Sequence, residues 1–374
     1  MVEWRAMKKR IVITLLSIIF LGIVTGFYIK KNPRTFHDQY IPSTNTPTIA
    51  FSPTSTIQLH QPPAIKIIPQ KIQVFQSFNN CGPASLSMLL SYFNTNISQE
   101  TIGQQLRPYQ NLQGNNDDKS VTLPELERFA QQQHFLTYHR PNGSLEKAKL
   151  LIANDIPFIV RTWLNPNEDI GHYRVVRGYD DTTQEFIQDD SYQGGNVRYS
   201  YNEFMNMWQP FNYEFLVIIP EDKKEIVEAI LQEDVSWEIS WQHALENAQQ
   251  EAIANPENLY AVFNQSVANY HLGNYEESVQ TYEEVVSQLP PRMLWYQIEP
   301  IEAYLEIGNY DIVFSLTNSI LNNQNRAFSE LYIVRGKAYE KQGNIDLARQ
   351  EYEKAVLYNQ YLPEAQNALQ RLEN

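Results

Sequence analysis

Gln76-Ser77-Phe78-Asn79-Asn80-Cys81-Gly82-Pro83-Ala84 runs directly into the helix-periodic apolar stretch Ser85-Leu86-Ser87-Met88-Leu89-Leu90-Ser91-Tyr92-Phe93, and it holds the one cysteine of the 374-residue chain. A thiol in the first turn of a helix faces the positive end of the macrodipole and a set of unpaired backbone N–H groups. Both favour the thiolate and draw its pKa down from about 8.5. Gly82 lets a substrate backbone approach, and Pro83 is tolerated in an opening helical turn. A lone cysteine is equally at home as a small buried hydrophobe, so its meaning depends on the groups that accompany it.

A nucleophilic thiol needs an imidazole to take its proton, a group to orient that imidazole, and donors for an oxyanion. Of the seven histidines, His37 and His60 fall in a Pro/Ser/Thr-rich stretch, His243 and His271 in the helical C-terminal third, and His134 and His139 beside a short strand-like run. His172 remains. It opens Gly171-His172-Tyr173-Arg174-Val175-Val176-Arg177-Gly178-Tyr179-Asp180, and the turn Asp181-Thr182-Thr183-Gln184 leads to a second run, Glu185-Phe186-Ile187-Gln188-Asp189-Asp190. This reads as an antiparallel hairpin whose far end returns beside its start. A carboxylate at Asp189 or Asp190 then reaches the imidazole, and strand alternation lets one of the two point that way. Ser98–Leu106 and Thr122–Ala130 read as short helices, the second opening with a Thr-x-x-Glu capping box. The polar loop between them carries Asp117-Asp118 without histidine or regular ligand spacing, so no metal and no cofactor is expected.

These pieces carry a family resemblance. From about Val74 to Tyr213 the chain resembles the bacteriocin-processing, double-glycine leader peptidases and their stand-alone relatives, a branch of the papain-like cysteine peptidases. The matching segments, in order, are Gln76, the Asn-Cys-Gly-Pro-Ala block at 80–84, Ile156-Pro157-Phe158-Ile159-Val160-Arg161, the Gly-His-Tyr-Arg run from Gly171, and Asp190-Ser191-Tyr192-Gln193-Gly194. The resemblance implies an α+β peptidase fold with Cys81 as nucleophile, His172 as general base and then acid, Asp190 as orienting carboxylate, and Gln76 as side-chain oxyanion donor. Ser191 stands where relatives commonly have proline, and Asn80 where processing peptidases often have aspartate.

Ile11 to Ile29 is an uncharged run of 19 residues, long enough to cross about 30 Å of hydrocarbon. With Arg5, Lys8, Lys9 and Arg10 before it and no small-x-small cleavage site, it reads as a retained signal anchor with its N-terminus inside. Residues 1–10 are then cytoplasmic, 11–29 the transmembrane helix, 30–69 an extended Pro/Ser/Thr-rich linker, 70–220 the peptidase-like domain and 221–374 a second domain, with both domains extracytoplasmic.

The second domain is defined by Gly273-Asn274, Gly308-Asn309 and Gly343-Asn344, which recur every 35 residues between helical segments. That is a solenoid period, and it resembles tetratricopeptide repeats. Trp237–Leu245 is expected to be a degenerate initial element capping an all-α stack. Residues 221–374 carry 10 Lys/Arg against 25 Asp/Glu, a balance of −15 that accounts for the whole chain's −14. An acidic solenoid argues against nucleic acid and suits a protein or peptide partner. The expected whole is a membrane-anchored cysteine peptidase acting on peptides, with a repeat domain that recruits a partner. A catalytically silent binding module in an envelope scaffold, and an acyl transferase using the same Cys, His and Asp, are the alternatives.

Overall fold

The sheet that carries the hairpin is antiparallel throughout, and its strands around the hairpin are buried on both faces. The computed structural model describes residues 57–109, 121–323 and 325–373. Its strands are β1 (Ile65–Ile67), β2 (Leu136–Arg140), β3 (Phe158–Trp163), β4 (Gly171–Asp180), β5 (Glu185–Asp190), β6 (Gly194–Ser200) and β7 (Phe215–Ile219), in the order β2-β7-β3-β4-β5-β6 with β1 on β4. Alternate residues serve two cores. Ile159, Tyr173, Val175, Leu216 and Ile218 face α1 (Cys81–Ser91), α2 (Gln99–Leu106) and α3 (Leu123–Gln132). Phe158, Val160, Val176, Phe215 and Val217 face α4 (Leu145–Ala153), α5 (Tyr201–Trp208) and α6 (Lys224–Leu231). Coverage on both faces is why β7, Phe-Leu-Val-Ile-Ile, reads as a continuous apolar run rather than an alternating one.

Local chemistry sets the helix starts. Thr122 and Glu125 form the capping box expected at α3, and Ser98, Ser144 and Ser200 cap α2, α4 and α5. Two boundaries differ from the sequence reading. The 30–69 linker ends early, because Ile65–Ile67 pairs with Gly178–Asp180 and the His60 N–H donates to Asn154 Oδ1 at 2.9 Å. The start of 221–374 belongs with the sheet, because Val227, Ile230 and Leu231 of α6 are buried in its core. The 11–29 anchor and the Asp117-Asp118 loop lie outside the described residues, as does most of the linker. Among the described residues no helix is long and apolar enough to cross a membrane.

The C-terminal helices are α7 (Trp237–Ala254), α8 (Leu259–His271), α9 (Tyr275–Val285), α10 (Met293–Tyr296), α11 (Glu299–Glu306), α12 (Tyr310–Asn322), α13 (Ser329–Lys341), α14 (Ile345–Tyr358) and α15 (Pro363–Glu373). The Gly-Asn period has one physical cause. Gly273, Gly308 and Gly343 each sit at φ +79°, a left-handed conformation that glycine takes without strain. In each case the next Asn N–H closes back on a helix carbonyl, Asn269, Tyr304 and Tyr339 in turn, at 2.8–2.9 Å. The same helix stop is thus made three times.

The solenoid packs onto the sheet domain through a shared core. Trp163, Met207 and Phe211 are buried with Trp241, Phe263, Val267 and Met293. The described residues from Ile57 onward accordingly form one compact unit.

Close packing between the last helices gives a test of the repeats. A Cβ on Gly336 would lie 2.4 Å from Tyr352 Cε1, inside the ring's contact distance. Gly336→Ala is expected to lower stability by about 1–3 kcal/mol through overpacking, read as a shifted midpoint in equilibrium urea denaturation.

Candidate active site

Cys81 is the first residue of α1 and is buried. At that position its own N–H lies outside the helix ladder, whose first bond runs from Ala84 N–H to the Asn80 carbonyl at 2.9 Å. The loop that delivers it is clamped by α2. The Gln99 amide donates to the Phe75 carbonyl at 2.7 Å and its Oε1 accepts from the Ser77 N–H at 3.0 Å. The buried Arg107, just past α2, donates to the carbonyls of Phe78 and Asn79 at 3.3 and 2.6 Å and to Asn80 Oδ1 at 2.7 Å. Gly103 leaves room for that Asn80 side chain, since a Cβ there would stand 2.9 Å from Oδ1.

The hairpin supplies the other groups. Asp190 is paired with Arg174 across β4 and β5, and His172 lies diagonally beside it on the same face. His172 Nε2 is 3.0 Å from Asp190 Oδ1, and Arg174 Nε is 2.8 Å from Oδ2. Oδ1 also accepts from the backbone N–H groups of Tyr192 and Gln193 at 2.6 and 2.8 Å. A carboxylate fixed by these donors holds the Nε2 proton and leaves Nδ1 as the imidazole's other nitrogen. Asp189, paired with Val175, points to the opposite face, where Arg177 Nε meets it at 2.8 Å and Tyr92 donates to it at 3.1 Å. The choice the sequence left open is thereby made geometrically, with Asp190 at the imidazole and Asp189 in a separate ion pair.

Electrostatics ties the thiol to this pair. Burial alone pushes the Cys81 thiol up. The hydrogen bond and charge of His172, a backbone hydrogen bond at Tyr173 and the charge of Arg107 outweigh it and hold the thiol below its ordinary value. His172 is opposite in sign. Burial pulls it down, but the bonds to Asp190 and Cys81 raise it above the usual imidazole range, against the charge of Arg174. Asp190 stays far below the usual carboxylate range because its bond and charge from His172 and the charge of Arg174 exceed the burial penalty.

Gln76 lies across the strand ends from this group. Its N–H donates to the Ser191 carbonyl and its Oε1 accepts from Ser191 Oγ, both at 2.8 Å. The hydroxyl that stands in place of proline therefore pins the Gln76 amide, leaving its NH2 end for the adjoining cavity. That cavity, about 420 Å3, is bounded on one side by Gln76, Phe78, Ile170 and Tyr192 and on the other by Arg292, Trp295 and Tyr296 of the solenoid. Phe78 and Tyr192 are 55% and 66% exposed, so the rim is apolar. The Tyr296 ring rests on the backbone of Gly171, where a Cβ would come within 2.8 Å of it, and Tyr296 bonds the Gly171 backbone and feels the charge of Cys81.

The structure thus brings all four sequence-predicted residues, Cys81, His172, Asp190 and Gln76, to one end of the sheet. The sequence reading missed Arg107, Gln99, Arg174 and the solenoid wall. Arg174 sits two residues from His172 on its face, a spacing that marks it in retrospect. Arg107 and Tyr296 carry no local signal.

Residues 62–215 match the Peptidase C39 like family, and residues 240–292 and 329–361 match tetratricopeptide repeats. The chain therefore carries a C39-like peptidase domain followed by tetratricopeptide repeats. Comparison with the curated proteins gives no match. Among solved structures the chain is similar to a C39-like peptidase from Bacillus anthracis, with 14% identity over 42% of this chain and 98% of that one and a TM-score of 0.37. It is also similar to the peptidase domain of Streptococcus ComA, a bifunctional ABC transporter of a quorum-sensing pathway, with 22% identity over 42% and 98% and a TM-score of 0.30. A thermophilic TPR protein of Thermus thermophilus shares 19% identity over 36% of this chain and 73% of its own, with a TM-score of 0.30.

Two measurements follow from the electrostatics. Iodoacetamide labelling of Cys81 in the full chain should persist well below the ordinary thiol midpoint of about 8.5 and rise as pH climbs through the lowered thiol pKa. In His172→Ala the midpoint should move up. Asp190→Ala leaves Arg174 buried without its counter-charge and should cost about 3–5 kcal/mol in denaturant unfolding near neutral pH. Because the Asp190 pKa is depressed by folding, that contribution is present above the unfolded value of about 3.9 and is lost as pH falls through the lower folded value.

Proposed function

We propose that the C39-like domain is a cysteine peptidase that hydrolyses peptide bonds with Cys81, His172, Asp190 and Gln76, and that the repeats bind a protein or peptide. The observation that carries this reading is the buried Cys81 at a helix N-terminus, electrostatically coupled to His172, whose Nε2 stands 3.0 Å from the Asp190 carboxylate.

The Cys81 thiolate attacks the scissile carbonyl carbon, and the electron pair of the C=O moves onto oxygen. The Cys81 N–H and the Gln76 amide stabilise that oxyanion. His172, protonated by the thiol, gives its proton to the leaving amine nitrogen as the C–N bond breaks, which leaves a thioester on Cys81. Water then attacks the thioester with His172 as base, and the carboxylic product and the thiol are restored. Asp190 keeps the imidazole in the Nε2–H tautomer and offsets its charge. The substrate backbone lies in the cavity between Gln76 and Tyr192 on one side and Trp295 and Tyr296 on the other. Anchoring through residues 11–29, with the described domains on the extracytoplasmic side, completes the proposal on the strength of the sequence.

The test is cleavage of a fluorogenic peptide library by the full chain. Cys81→Ala should abolish turnover. Gln76→Ala should lower kcat by about 10²–10³-fold while leaving alkylation of Cys81 unchanged, because alkylation builds no oxyanion. Tyr296→Ala should raise KM with alkylation again intact. Dominant transfer to added glycinamide in place of hydrolysis would make the enzyme an acyl transferase, and slow alkylation with no turnover would make the domain a binding module.

A further inference from the structure

The cavity beside Cys81 carries a polar lining group to which the reaction assigns no role. Asn325 stands in the turn between α12 and α13, on the solenoid bank that also presents Arg292, Trp295 and Tyr296. It is 2% exposed, and among the described residues its Oδ1 is the one lining atom of this cavity that is buried without a hydrogen-bond partner. Its backbone is held in place. The Asn325 carbonyl accepts from the Phe328 N–H at 3.3 Å, and Phe328 is buried in the core shared by solenoid and sheet.

A buried amide oxygen left without a donor is costly. Water can fill the place while the cavity is empty, but a peptide that displaces it must supply a donor in its stead. Arg292, the guanidinium on the same bank, is paired with Asp169 at 2.8 Å. The donor that every peptide brings is its own backbone N–H. Gln76 and Asn325 are then complementary across the cavity. Gln76, its Oε1 satisfied by Ser191, offers an NH2 to a carbonyl oxygen, whereas Asn325 offers an oxygen to an N–H.

We propose that Asn325 is a substrate-binding residue whose Oδ1 accepts one backbone N–H of the bound peptide. This rests on the peptidase reading of Cys81 and adds a rule of specificity to it. The contact reads main chain, so it accepts any side chain at that substrate position except proline, which has no N–H to give. It also makes the repeat domain a part of the active site, because the acceptor comes from a turn between two solenoid helices.

The test is covalent labelling of Cys81 in the full chain by acetyl-Ala-Ala-Ala-chloromethyl ketone, with chloroacetone as the same electrophile without a peptide. Asn325→Ala should lower kinact/KI for the peptidyl reagent about tenfold and leave chloroacetone labelling unchanged. Replacing the alanines of the reagent one at a time by N-methylalanine should find one position where the wild type slows about tenfold or more and Asn325→Ala slows far less, the coupling expected of a shared hydrogen bond. Proline at that position should slow the wild type likewise. Asn325→Leu, close to asparagine in shape, takes the place of the alanine variant if circular dichroism shows that variant unfolded. A folded variant labelled by the peptidyl reagent at the wild-type rate overturns the proposal. So does a wild type in which N-methylation has no effect at any position, or the same effect as in the variant at all of them, or in which the peptidyl reagent has no advantage over chloroacetone. Failure of the peptidase reading shows separately, as slow chloroacetone labelling with an ordinary thiol midpoint in the wild type, and the ratio of peptidyl rates between wild type and variant still reports on Asn325.

Discussion

The hydrogen-bond register between β4 and β5 sets Asp190 against Arg174 and Asp189 against Val175. A slip of one residue would exchange their faces, turning Asp190 away from His172 and Arg174. Several things enforce the register at once. Arg177, two residues beyond Val175 on the face of Asp189, is fixed on Asp189 by its Nε and on the Ile68 carbonyl and Asn196 by its other nitrogens. Two buried arginine–aspartate pairs, one on each side of the strand pair, thus oppose any shift. The geometry at the thiol follows, because the imidazole is only as well placed as the carboxylate behind it.

The nucleophile's loop is held by a different device. Gln99 and Arg107 capture backbone groups of residues 75–79 together with the Asn80 side chain, so the loop keeps its path without strand pairing of its own. Arg107 has a second effect. Burial lowers its pKa to about 10 in spite of the charges of Cys81 and Glu125, yet it stays cationic at neutral pH and adds to the field that favours the thiolate. One side chain therefore shapes the loop and tunes its reactive atom.

How much of this could be read in the sequence depended on whether the cause was local. The helix after Cys81, the capping box at Thr122, the hairpin from Gly171 and the 35-residue Gly-Asn period each follow from nearby residues, and each is present. The selection of Asp190 over Asp189 needed a register, which alternation alone does not supply. β1 went unread because prolines flank it and three residues give too short a pattern, though its pairing with β4 is plain in the structure. Arg107 and Tyr296 were silent because their roles arise from contacts across 26 and more than 100 positions of chain, with no motif at either end.

The solenoid's place on the cavity has a consequence in time as well as in space. Synthesis and folding generally proceed from the N-terminal domain onward, so a chain emerged through residue 231 has its sheet, both covering helical layers, and Cys81, His172 and Asp190. It has only one bank of the cavity. The opposite bank, Arg292 to Tyr296, comes later and takes its place when the solenoid buries Trp241, Phe263 and Met293 against Trp163 and Phe211. Assembly of the cleft is thereby delayed until the repeats have folded against the sheet, as a late-fitted part delays the closing of a mechanism.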